Sequence, residues 1–112
     1  GLGMAQGVSP GAGVKIERHV NQYEQPATGD GQYEAVVKAG RTIYKQQLGR
    51  EFPMLANYTV DIPPGGRTDA FVQTVITWNY HGHTFKTRGL DADQTEAAIQ
   101  ATVKMLNQIE NL

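Results

Sequence analysis

The sequence predicts an α+β fold, a two-layer sandwich in the order β-α-β-β-β-α. Three observations carry this prediction. An apolar stripe at helical spacing runs through residues 31–48. Runs that alternate apolar and polar residues follow over 57–62, 68–80 and 83–88. A second helical stripe fills 98–112 behind an Asp-x-x-Glu start. Three sequential antiparallel strands between two helices, with one added N-terminal strand, pack as a sheet on a helical layer.

The elements follow in chain order. Residues 1–13 hold five glycines and a proline, which reads as a flexible linker or an expression remnant. The domain proper is expected over 14–112. Val14 to Tyr23 reads as a strand, with Val14, Ile16 and Val20 on one face. Arg18 interrupts that face, so the strand belongs at an edge. Gln25-Pro26-Ala27-Thr28-Gly29 is a turn.

Asp30 is placed to cap a helix, and Glu34 falls in the first turn, where the helix dipole favours an acid. Val36, Val37, Gly40, Ile43, Tyr44 and Leu48 form one stripe, with Lys38, Arg41 and Lys45 outside it. Gly49 is a suitable terminator. Tyr58, Val60 and Ile62 alternate with Asn57, Thr59 and Asp61, as in a half-buried strand, until Pro63-Pro64-Gly65-Gly66 forces a loop. Thr68 to Tyr80 reads as a long strand with bulk on both faces. Asn79-Tyr80-His81-Gly82 is a hairpin turn, and His83 to Arg88 returns with Phe85 opposite Ile76 or Trp78. Asp93-x-x-Glu96 has capping-box spacing, and Asp91-x-x-Gln94 offers the same earlier. Ala98, Thr102, Met105, Ile109 and Leu112 then make a stripe, widened by Ile99, Val103 and Leu106.

Composition narrows the function classes. Ten basic residues against eleven acidic ones leave a net charge of -1, so no basic patch recruits nucleic acid or an anionic membrane. There is no cysteine, which excludes disulfides, thiolate metal sites and cysteine nucleophiles, and fits a reducing, cytoplasmic compartment. No apolar run approaches the roughly 20 residues of a membrane span, and no basic segment leads into an apolar one as in a signal peptide.

Candidate chemistry is sparse. His81-Gly82-His83 can present two imidazoles on one face of a strand, but no carboxylate adjoins them as a further metal ligand; a solvated turn accounts for them. Ser9 is the only serine, and no nucleophile motif surrounds it. Asp91 and Asp93 stand where helix caps belong. Phe71 and Val75 point to the sheet face away from the helices and offer a seat for a partner. The order helix, three strands, helix also occurs in double-stranded RNA-binding modules, but the acidic start of the second helix repels phosphate.

Three patches resemble one family, the C-terminal regulatory and dimerising domain of the 2-isopropylmalate and citramalate synthases. Thr28-Gly29-Asp30-Gly31 leading to Ala35 is similar to a Gly-(Asp/Asn)-Gly-Pro turn before a helix, with Gln32 in place of the proline. Gly66-Arg67-Thr68-Asp69-Ala70 resembles a Gly-Thr-Asp-Ala junction with Arg67 inserted. Thr87-Arg88-Gly89-Leu90, then Asp93, Glu96-Ala97, Ala101 and Leu106-Asn107, resembles Arg-Gly-Val, Asp, Glu-Ala and Leu-Asn at matching spacing. Together the patches span roughly residues 14–110.

The resemblance implies a regulatory domain of two β-rich-plus-helix halves, paired as a homodimer. It implies a catalytic (β/α)8 barrel elsewhere in the parent enzyme, which condenses acetyl-CoA with a 2-oxo acid and holds a divalent metal. This chain itself is expected to be non-catalytic and to need no cofactor. The implied effector is leucine or isoleucine, bound at or near the dimer interface as feedback inhibitor. Carried over by residue, the effector contacts are Gly29, Asp30, Gly31, Leu55, Tyr58, Thr68, Asp69 and Ala70. A glycine-flanked helix start lets backbone N–H groups approach the effector carboxylate. Leu55 and Tyr58 would form apolar wall. The alternative is a structural dimerisation module that binds no effector.

Overall fold

The computed structural model of the chain describes residues 4–9, 13–18, 21–25, 32–62 and 71–111. Two compact units divide the chain: residues 1–52 with 106–112, and residues 53–105.

The first unit opens with a three-stranded antiparallel sheet. Strand β1 (Met4–Ser9) pairs with β2 (Gly13–Arg18), and β2 pairs with β3 (Asn21–Gln25), in the order β1-β2-β3. This corrects two expectations. Residues 4–9, read as linker, form a strand; their backbone is satisfied by the ladder from Met4↔Glu17 to Gln6↔Lys15. The single strand expected over 14–23 is a hairpin, with Arg18 paired to Asn21. The interruption of the apolar pattern at Arg18 is therefore a strand end. The order is β-β-β-α-β-β-β-α, so the α+β class holds and each helix follows its own three strands. That agrees with the two-halved domain implied by the resemblance.

Helix α1 (Gln32–Thr42) lies against β2 and β3. Its stripe is as expected: Ala35, Val36, Val37, Ala39, Gly40, Ile43 and Tyr44 are buried, and Lys38, Arg41 and Lys45 are exposed. Gly40 costs roughly 1 kcal/mol of helix propensity. A Cβ there would stand 3.3 Å from the Phe52 ring, so the glycine gives that ring its place. The predicted end near residue 48 holds, but Ile43–Leu48 is a π-helical turn rather than α-helix. Gly49 closes it in the left-handed conformation (φ 64°), donating its N–H to the Tyr44 carbonyl. The Arg50 N–H donates to the same oxygen at 2.8 Å.

Tyr44 is the hub of this unit. Its hydroxyl donates to Glu110 Oε2 at 2.8 Å, and Arg50 Nη1 donates to that same oxygen at 2.6 Å. The Phe52 ring meets Tyr44 edge-on, with centroids 5.5 Å apart. The Glu110 side chain is only 5% exposed, so its charge is desolvated and relies on these donors.

The second unit holds β4 (Met54–Asp61), β5 (Val72–Tyr80) and β6 (His83–Asp91) as an antiparallel meander in the order β4-β5-β6. The β5–β6 connection is the two-residue turn His81-Gly82, both at positive φ (52° and 80°), which matches the twist of the flanking strands. Phe85 stands opposite Trp78, as expected. Thr74, Ile76, Trp78 and Tyr80 are buried along one face of β5, and the Trp78 indole donates to Thr87 Oγ1 at 2.8 Å.

Helix α2 (Gln94–Glu110) lies against that face at Gly89, which stands opposite Thr74. Asp93 caps it: its Oδ1 accepts from the N–H of Thr95 at 2.7 Å and of Glu96 at 3.1 Å. Asp91 does not repeat the cap. It accepts from the Asp93 N–H at 2.9 Å and from Gln100 Nε2 at 3.3 Å, which ties the end of β6 to the helix. The closest approach is at Gly89, where a Cβ would lie 1.7 Å from the Ala97 carbonyl oxygen and 3.1 Å from the Ala101 nitrogen.

Candidate functional site

Of the eight residues assigned to an effector contact, Gly29, Asp30, Gly31, Thr68, Asp69 and Ala70 lie outside the described residues. Leu55 and Tyr58 are described, and both belong to β4. They are three residues apart, so a regular strand would set them on opposite faces. The ladder to β5 has an irregularity between Leu55 and Asn57. Leu55 pairs with Trp78 and Tyr58 with Ile76, two residues apart on β5, which leaves Ala56 as an unpaired bulge residue. The bulge brings Leu55 and Tyr58 to one face.

That face is the one on which Ile76 and Trp78 are fully buried. The cover ends at β4. Leu55 is 38% exposed, Val60 36% and Ile62 66%, while Tyr58 is half-buried. Val60 pairs with Thr74 and so shares the face, and Ile62 continues the alternation. The expectation of a half-buried strand at Tyr58, Val60 and Ile62 is therefore corrected: β4 is an edge strand that presents an open apolar strip.

Val60 and Ile62 were not singled out as site residues. A signal for them existed in Pro63-Pro64, because prolines close to a strand mark an edge, where the missing N–H breaks no ladder bond. What cannot be read without pairing partners is the bulge, since alternation counted through Ala56 puts Leu55 on the wrong face.

The strip is chemically simple. Two branched aliphatic residues, a leucine and a phenol offer an apolar wall that suits an aliphatic side chain or another apolar surface. None of the four carries a charge. The opposite face differs: in register across β5 and β6 stand Val75 with Arg88 and Thr77 with Lys86, and both basic residues are exposed. Phe71, expected to seat a partner with Val75 there, is 52% exposed, and Val75 is half-buried.

The remaining candidates resolve into structure. His81 sits at the hairpin turn with its ring 4.0 Å from that of Tyr80, and His83 opens β6 opposite Tyr80. Among the described residues no group of three histidine or acidic side chains is placed to hold a metal. Asp91 and Asp93 serve the start of α2. No described helix is long and apolar enough to cross a membrane.

Comparison with known proteins follows the same lines. A family profile described as the LeuA allosteric (dimerisation) domain matches residues 3–110, nearly the whole chain and including β1. A protein of Pseudoalteromonas atlantica named 2-isopropylmalate synthase is 30% identical over 100 residues, which cover 89% of this chain and 18% of that protein. The chain thus spans about a fifth of its relative's length.

Proposed function

Since the chain belongs to the LeuA allosteric (dimerisation) domain family, we propose that it is the non-catalytic regulatory domain of a 2-isopropylmalate synthase-like acyltransferase. It pairs with a second copy and binds a branched-chain amino acid, which inhibits a catalytic barrel carried elsewhere in the parent enzyme. The barrel supplies the acetyl-CoA chemistry and holds the metal. The pathway served is leucine biosynthesis, in the cytoplasm.

The observation that carries effector binding is the open face shared by Leu55 and Tyr58. An aliphatic ligand side chain needs an apolar wall left free by the fold, and these residues supply one only because of the bulge between them. The polar end of the effector is assigned to Gly29, Asp30 and Gly31, where a helix start meets a carboxylate and an aspartate meets an ammonium group. Thr68, Asp69 and Ala70 complete the set. Inhibition at a distance is a coupling free energy, typically about 1–3 kcal/mol, between effector and catalytic sites.

Thermal unfolding of the purified chain with leucine, isoleucine or valine tests the reading. A ligand that binds only the folded state raises the melting temperature, by an amount equivalent to about 2.7 kcal/mol at 100 times its dissociation constant. A dimer whose melting temperature ignores all three at millimolar concentration refutes effector binding and leaves structural dimerisation.

A further inference from the structure

We propose that β5 is a self-assembly segment: once its ladder partners open, residues 71–80 stack on the same residues of other copies as a cross-β fibril, and β4 is the strand whose release exposes them. This is association of the opened chain, separate from the pairing of folded copies and from effector binding.

The first argument is sequence. Phe71 to Tyr80 runs Phe-Val-Gln-Thr-Val-Ile-Thr-Trp-Asn-Tyr, ten residues without a charge, a glycine or a proline. Eight of the ten are β-branched or aromatic, and the other two, Gln73 and Asn79, are amides. High β-propensity without charge or breaker over six or seven residues is the pattern that forms dry side-chain zippers, and stacked amides add to it. The strand carries such side chains on both faces: Thr74, Ile76 and Trp78 are buried along one, and Gln73, Val75 and Thr77 line the other.

Of the described elements, two others hold an uncharged window of seven residues, and each is disqualified. Residues 97–103 of α2 contain three alanines and a glutamine, which favour helix. Residues 54–60 of β4 lie between Pro53 and Asp61 and are interrupted by the bulge at Ala56. Prolines, charges and bulges are the devices that blunt a strand against stacking.

The second argument is topology. β5 is the central strand of β4-β5-β6, so both of its backbone edges are occupied in the folded chain. The cover on one edge is weakly held. Every β4 side chain is exposed except the half-buried Tyr58, and elements with little buried surface open first. The ladder of β5 to β6 runs from Val72↔Asp91 to Tyr80↔His83 without a register shift. Departure of β4 therefore bares a regular, uncharged edge, the template on which further strands pair.

The ladder pair Thr59↔Val75 supplies the test. Both residues stand on the sheet face away from Ile76 and Trp78, so lysine at either adds the same charge to the same face of the folded sheet. Only Val75 lies in the proposed segment. The full 112-residue chain, Val75→Lys and Thr59→Lys are each agitated at their own melting midpoint and followed by thioflavin T fluorescence, fibre diffraction and mass spectrometry of the protease-resistant core. The unaltered chain and Thr59→Lys are expected to form fibrils with reflections at about 4.7 Å and 10 Å and a resistant core that contains residues 72–78. Val75→Lys is expected to lengthen the lag about tenfold or more, because each layer would stack like charges. The proposal is overturned by an unaltered chain that forms no fibrils, by a core without residues 72–78, or by a Val75→Lys lag that is unchanged. Equal suppression by both lysines also overturns it, since the effect then belongs to charge on the folded sheet. If Val75→Lys does not fold, Gln73→Lys is read the same way.

Discussion

Gly89 and Ala97 touch backbone to backbone: a Cβ on Gly89 would lie 1.7 Å from the Ala97 carbonyl oxygen. Neither β6 nor α2 can yield locally, because the obstacle is main chain on both sides. Gly89→Ala is expected to cost about 3 kcal/mol or to prevent folding, more than ordinary overpacking. Urea unfolding measures it. A loss under 1 kcal/mol would show that strand and helix do not approach this closely.

Thr74 stands opposite Gly89 in the ladder, and its buried Oγ1 has no hydrogen-bond partner among the described residues. A buried hydroxyl without a partner loses its water contacts for nothing. Thr74→Val keeps the shape and is expected to stabilise the chain by about 1 kcal/mol, read as a rise of about 4 °C in melting temperature. A fall would mean that the hydroxyl is satisfied in solution.

Glu110 Oε2 accepts from both Tyr44 and Arg50. Glu110→Ala removes the shared acceptor and is expected to cost about 2–3 kcal/mol. Tyr44→Phe removes one donor and is expected to cost about 1 kcal/mol. Combining the two in a denaturation cycle should give a coupling energy of about 0.5 kcal/mol or more. Simple additivity would contradict the shared-acceptor geometry.

Asp93→Ala deletes both capping bonds of α2 and is expected to lower stability by about 1 kcal/mol. Asp93→Asn retains an oxygen acceptor and should lose much less. Thermal unfolding followed by dichroism separates the two, and equal losses would assign the effect to charge rather than to the cap.

The fold was legible where one period ran unbroken. The α1 stripe and the cap at Asp93 needed only local chemistry, and both stand where the sequence puts them. Gly89 was visible as part of a motif, but its reason is the approach of α2, which no local pattern encodes. β1 was missed because it lies in a glycine-rich window and carries no regular alternation, and the break between β2 and β3 was missed because Arg18 ends β2 without a proline or glycine. Leu55 and Tyr58 are assigned to the effector through resemblance alone, while the face they share depends on pairing with β5. The exposure of Val60 and Ile62 was hidden for a related reason: alternation tells which residues lie on one side, not whether anything covers that side.

The bulge at Ala56 also bears on how relatives of this domain are compared. Register on either side of Ala56 is that of an uninterrupted ladder, with Leu55 opposite Trp78 and Asn57 opposite Thr77. A homologue lacking this one residue would keep the same partners and the same four-residue row, with the strand merely straightened. The loss of Ala56 is therefore expected to be silent for the fold, and an alignment that opens no gap there shifts every column upstream of it by one. Matching by column alone would then exchange inward and outward side chains, and only the pairing to β5 would restore them.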